Sequence, residues 1–195
     1  MLYMTYVLSF TFVAFAVIGM NMNSCNQSDN LVDWSEKRPL KWSDFKAEFP
    51  SIDGSADEIS VKLQLYYKFD GTLEYDVVCY MDKSESWTFE KSDYALNHEQ
   101  GHFDIGEIYA RKLRKAVQKY VPVIKYSTIK KLDSLEVMYH SLLEAEEERY
   151  DEETTHPTRN SIKQRYWDIK IKNALDSLNG YKRNPGHKLK HVKYL

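Results

Sequence analysis

From Ile59 the apolar residues Ile59, Val61, Leu63, Leu65, Tyr67 and Phe69 alternate with mostly polar ones, the two-residue period of a half-buried strand. Asp70-Gly71 follows, a dipeptide favoured in two-residue type I′ turns. Leu73, Tyr75, Val77, Cys79 and Met81 then resume the alternation, so the pattern predicts a β-hairpin. Ser86-Trp87-Thr88-Phe89 reads as a third short strand, and Leu40-Lys41-Trp42-Ser43-Asp44-Phe45, after Pro39, as an extended segment packed on the core. Between Tyr94 and Tyr120 the period changes: His98, His102, Ile105, Tyr109, Leu113, Ala116 and Tyr120 recur at helical spacing, with Ser92 or Asp93 available as a cap. Glu107, Arg111, Arg114, Lys115 and Lys119 are expected to avoid that stripe. Val121-Pro122 ends this helix. Ile129, Leu132, Leu135, Met138, Leu142 and Ala145 mark a second, whose acidic end from Glu144 to Glu148 reads as solvated. Tyr150 to Pro157 reads as a polar loop, with Pro157 in the first turn of a third helix marked by Ile162, Tyr166, Ile169, Ala174 and Leu178 and stopped by Asn179-Gly180. The fold class expected is α+β, with a small antiparallel or mixed sheet packed on one helix and two further helices behind it.

A length of 195 residues, 43% of them hydrophobic, fits one globular domain over residues 31–180. Residues 1–30 form an N-terminal appendage and 181–195 a basic tail. A net charge of -2, with cations spread among acids and no base-reading motif, argues against nucleic acid as a partner. Leu2 to Met20 is an uninterrupted run of apolar and hydroxyl-bearing residues, and the first formal charge is Asp29. An export signal is expected, with an uncleaved membrane anchor as the alternative, so the domain is expected to be periplasmic, secreted or anchored to the cell envelope. Cys25 is a candidate for lipidation, for a disulfide with Cys79, or for neither, with Cys79 a small buried hydrophobe. His187 and His191 have no apolar setting and read as a solvated tail.

The chemistry lies in His98-Glu99-Gln100-Gly101-His102. On a helix, residues four apart sit one turn above each other, so both imidazoles can serve one ion. Glu99, rotated by about 100°, can reach a water on that ion. A hydrolytic zinc site takes a third protein ligand. His156 is expected in that role, with Asp151 or Thr154 orienting it, and Asp151 is the rival ligand. Glu107 has turned off the ligand face. The function expected is peptide-bond hydrolysis, with Zn2+ activating water, Glu99 as general base, and Tyr150 or Tyr166 at the oxyanion, on a peptide or protein substrate. The competing readings are a secreted binding module whose metal site is structural, closed by a fourth ligand, and hydrolysis of a non-peptide amide. Gly101, inside the helix, costs up to about 1 kcal/mol relative to Ala, which makes sense if a backbone or a substrate must come close.

The run His98-Glu99-Gln100-Gly101-His102-Phe103-Asp104-Ile105, with Ala110-Arg111 beyond it, the Leu40 to Phe45 segment, Ser86-Trp87, and Tyr150-Asp151 with Thr154 and His156 resemble bacterial domains of unknown function predicted to be secreted zinc-dependent proteases. The resemblance spans about residues 40–178. It implies a zincin-like fold, in which the motif helix packs beneath a small sheet whose edge strand receives an extended peptide. Pro157 departs from the family's glycine and restricts His156 to extended conformations.

Overall fold

In the computed structural model the described residues are 30–48, 58–69, 73–89, 91–120, 126–154 and 160–184. The alternating segments form β2 (Val61–Phe69) and β3 (Leu73–Asp82), paired antiparallel with Leu65 opposite Val77 and Leu63 opposite Cys79. Phe69 pairs with Leu73, so three residues separate the last paired positions instead of two; Asp70-Gly71 itself lies outside the described residues. The third strand is not Ser86 to Phe89. It is β1 (Leu31–Asp33), which pairs antiparallel with Tyr80 to Asp82 and gives the order β1-β3-β2. Trp87 makes only an isolated bridge with Glu58, because the Ser86 hydroxyl takes the Ser60 N–H at 2.9 Å and donates to the Asp82 carbonyl at 2.6 Å, replacing ladder bonds.

Three helices complete an α+β fold: α1 (Asp93–Gln118), α2 (Tyr126–Thr154) and α3 (Ser161–Ser177). The Ser92 side chain caps α1 by accepting from Ala95 N. Leu63, Leu65, Val77 and Met81 of the sheet are buried together with Phe103, Ile105 and Leu113 of α1. Gly106 permits this approach: a Cβ there would lie 2.5 Å from Val61 Cγ1 and 2.9 Å from Cys79 Sγ. Cys79 is thus a buried residue of the sheet–helix interface, its thiol 3.8 Å from the Phe103 carbonyl.

Of the charged residues expected to avoid the α1 core face, Lys115 and Lys119 are exposed, but the other three are a correction. Glu107, Arg111 and Arg114 are 2%, 1% and 6% exposed, because the sheet, α2 and α3 surround the middle of α1. Their i, i+4, i+7 spacing lets them satisfy one another. Glu107 Oε1 accepts from Arg111 Nε and Arg114 Nη1, both at 2.9 Å, and Arg114 also donates to the carbonyls of Val77 and Tyr181. The segment before β2 is tied to the same helix. The Leu40 N–H donates to Gln100 Oε1 at 2.8 Å, Trp34 Nε1 to Asp104 Oδ1 at 2.7 Å, and Trp42–Asp44 is a 3-10 turn rather than extended chain.

α2 runs through residues expected to form a loop. Leu143, Tyr150 and Thr154 share its buried face, while Met138 and Leu142 of the expected stripe are about half exposed. α3 likewise turns Gln164, Trp167 and Ile171 inward and leaves Ile162, Tyr166 and Ile169 exposed, because the bulkier Trp167 packs edge-on against Tyr150 with ring centres 5.1 Å apart. Asn160 caps α3, which therefore starts after Pro157. The first tail residues are docked: Arg183 pairs with both carboxylate oxygens of Asp76 and with Asp33. The expectations for the leader, Cys25, the Ile129 side chain, Val121-Pro122, His156-Pro157, His187 and His191 lie outside the described residues. Among those described, no helix is long and apolar enough to cross a membrane.

Replacing an exposed helical Gly by Ala normally stabilises by up to about 1 kcal/mol. Gly106→Ala is expected to do the reverse, lowering stability by roughly 1–3 kcal/mol through overpacking. A urea midpoint equal to or above that of the wild type contradicts the close contact.

Candidate metal centre

The two motif histidines do converge. His98 Nε2 and His102 Nε2 lie 3.2 Å apart, and Asp151 Oδ1, from α2, lies 3.0 Å from each. The rings are nearly perpendicular, which aims both nitrogens at one point. Around Zn2+, with bonds of about 2.0–2.1 Å, tetrahedral ligands stand about 3.3 Å apart, so the three atoms match one face of such a site to within a few tenths of an ångström.

Whether the three atoms could hold a cation turns on where the imidazole protons sit. With a proton on each Nε2, both N–H groups can donate to Asp151 Oδ1; with none, three lone pairs face one another. In the second arrangement one divalent ion would satisfy all three. The network behind His98 favours the second arrangement. Gln164 Nε2 donates to the Tyr150 hydroxyl at 2.7 Å and to Asp168 at 2.9 Å, which turns Gln164 Oε1 toward His98 Nδ1 at 3.4 Å. Thr154 Oγ1 stands 3.3 Å from the same nitrogen. Both oxygens accept an Nδ1 proton and so leave Nε2 with its lone pair outward.

Burial and charge follow. Burial lowers the His102 pKa against the pull of Asp151, which favours the neutral ring. At Asp151 burial acts upward, but the two imidazoles beside it, His102 and His98, outweigh it and hold the carboxyl well below the usual range. The Asp151 side chain is 48% exposed against 8% and 11% for the two histidines, so the centre has dry walls and a wet rim. Glu147, one turn before Asp151, has Oε1 4.0 Å from His102 Nδ1. Burial, with the charges of Asp151 and Glu144, raises its pKa to about 8. Glu99 is 3% exposed and close enough for its charge to act on Tyr150.

The expected site residues sort as follows. His98, His102 and the rival ligand Asp151 are brought together, and His156 lies outside the described residues. Tyr150 does not face the cation position. It is fully buried, its ring is stacked on His98 at 4.7 Å, and its hydroxyl donates to the His98 carbonyl and accepts from Gln164. Burial raises its pKa strongly. Tyr166 is on the exposed face of α3. Neither is placed to stabilise an oxyanion. Gly101 makes room for Tyr150, not for a backbone or a substrate: a Cβ there would lie 2.2 Å from the Tyr150 hydroxyl oxygen. Sequence reasoning missed Gln164 and Glu147. The signal for Glu147 was its position one helical turn before Asp151; Gln164, an ordinary polar residue in an amphipathic helix, carried none.

No family model, no curated protein and no solved structure matches the chain.

Loss of the outer partner of a ligating imidazole typically weakens a metal site 10–100-fold. Gln164→Leu is therefore expected to bind Zn2+ about 10–100-fold more weakly than the wild type in isothermal titration while remaining folded. Unchanged affinity in a folded variant removes Gln164 from the site.

Proposed function

We propose that the chain is a zinc-dependent hydrolase of peptide bonds, with His98, His102 and Asp151 as the protein ligands and Glu99 as the general base. The observation that carries this reading is the convergence of three donor atoms within 3.2 Å, two from the motif on α1 and one from α2. Two histidines and one carboxylate form a ligand set of hydrolytic zinc sites, and three protein ligands leave a further position open. When bound, the ion would lower the pKa of water to about 7 and polarise the scissile carbonyl.

The chain's own residues supply the rest. Glu99, next to His98 and shielded from bulk solvent, takes the proton of the attacking water and passes it to the leaving amine. Asp151, half exposed, marks the side from which substrate arrives. The outer edge of β2 offers main-chain groups for an extended peptide. The Leu65 N–H points away from β3, to Glu136 Oε1 at 2.8 Å, and by strand alternation Val61 and Leu63 present their N–H and C=O groups on the same side. Glu58, just before that stretch, has its carboxyl raised by burial, with the charge of Asp151 adding to the rise. The resemblance of the HEQGHFDI run to predicted secreted proteases, and a motif helix packed against a small antiparallel sheet, support a zincin-like variant of the α+β fold.

Glu99→Gln is expected to retain bound zinc and to cleave unfolded casein at least about 100-fold more slowly than the wild type. Cleavage at the wild-type rate by the zinc-loaded variant contradicts the role of Glu99.

A further inference from the structure

The two imidazoles of the centre turn their outer nitrogens toward opposite ends of one stretch of α2. Glu147, Asp151 and Thr154 occupy positions i, i+4 and i+7, so they share one face of that helix. α2 runs antiparallel to α1 here. Thr154 Oγ1 is 3.3 Å from His98 Nδ1, Asp151 Oδ1 is 3.0 Å from both Nε2 atoms, and Glu147 Oε1 is 4.0 Å from His102 Nδ1. The ligand carboxylate thus stands between two flanking oxygens, one behind each histidine.

Those oxygens differ in kind. Behind His98 they are neutral, the Thr154 hydroxyl and the Gln164 amide. Behind His102 the acceptor is a carboxylate, and no other acceptor pairs with that Nδ1 among the described residues. Glu147 in turn has no hydrogen-bond donor and no Lys or Arg partner among them, although its side chain is only 25% exposed. Its neighbours along α2, Glu144 and Asp151, are acids as well. A carboxylate held in this way costs stability, so the fold alone gives no reason for an acid at this position.

At 4.0 Å the contact is about 1 Å longer than a hydrogen bond. A cation on Nε2 draws electron density from the ring and makes the Nδ1 proton a stronger donor, and rotation about the three torsions of the Glu147 side chain closes the gap. We propose that Glu147 is the positioning residue of His102: with His98, His102 and Asp151 read as zinc ligands, on which this rests, it accepts the Nδ1 proton of His102, fixes Nε2 as the ligating nitrogen and holds the ring toward Asp151. It acts through His102 and touches neither cation nor substrate.

The test measures zinc affinity of the full chain by competition with a chelating dye in the wild type, Glu147→Leu and Glu147→Gln, with thermal melts of the metal-free proteins alongside. Glu147→Leu, which removes the acceptor, is expected to bind zinc about 10–100-fold more weakly. Glu147→Gln keeps an oxygen that can accept, and is expected to bind at least about threefold more tightly than Glu147→Leu. Metal-free, both variants are expected to melt no more than about 2 °C below the wild type, because no donor is lost. Zinc binding by Glu147→Leu within about twofold of the wild type overturns the proposal and leaves the ligand set standing. Equal losses in the two variants reduce Glu147 to a distant charge, and a melting temperature that falls together with affinity reduces it to a packing residue; either result overturns the proposal too. A wild-type chain that binds no zinc overturns the ligand set itself, and the role of Glu147 with it.

Discussion

Two imidazole nitrogens and a carboxylate oxygen within 3.2 Å of one another repel unless something positive lies among them, and the fold around α1 is arranged to keep them there. His98 and His102 come from adjacent turns of one helix, so their separation is set by helical geometry. Asp151 comes from a different helix, and its approach depends on packing. Tyr150, its neighbour, is stacked on His98 and sits over Gly101, which locks α2 to the motif one residue away from the ligand. Trp167 holds Tyr150 from the far side, and Gln164, on the same face of α3, completes the support at His98 Nδ1. The third helix thus reaches the centre only through side chains that touch the ligands from behind.

The same helix handles charge in two ways. Toward α2 it directs neutral donors at an open, half-wet rim. Toward α3 and the N-terminal segment it buries Glu107, Arg111 and Arg114, where two cations share one acid and three backbone carbonyls. Buried ion networks are poor sources of net stability but are specific about geometry. Here the network ties α1 to β3 through Val77, to α3 through Leu175 and to the 3-10 turn Asn179–Tyr181 through Tyr181, fixing the rotation of the helix about its own axis. That rotation decides where His98 and His102 point.

What the sequence made legible was whatever one-sided burial imposes as a period. The hairpin followed from strict alternation on both sides of Asp70-Gly71, and α1 from the His98 to Leu113 stripe with its serine cap. The third strand was hidden because Leu31–Asp33 has only three residues, too few to show a period, whereas Ser86 to Phe89 looks like a strand but pairs only at Trp87, with the Ser86 hydroxyl taking the Ser60 N–H. The length of α2 was hidden because Tyr150-Asp151-Glu152-Glu153-Thr154 has the polarity of a loop; the spacing of Leu143, Glu147, Tyr150 and Thr154 at helical intervals was the signal that it continues. In α3 two stripes compete, and periodicity alone does not say which faces inward; the bulk of Trp167 decides. Of the centre, the two histidines were readable from local spacing. Asp151 emerged only as a rival, since the meeting of α1 and α2 is a long-range event that no local pattern encodes.

The ligand set is tested most directly by extended X-ray absorption at the zinc edge of the zinc-loaded full chain. Two imidazoles with light-atom ligands at about 2.0–2.1 Å, one imidazole fewer in His102→Ala, and an unchanged imidazole count in Asp151→Ala are the predicted result. A shell of three imidazoles in the wild type, or none, contradicts it.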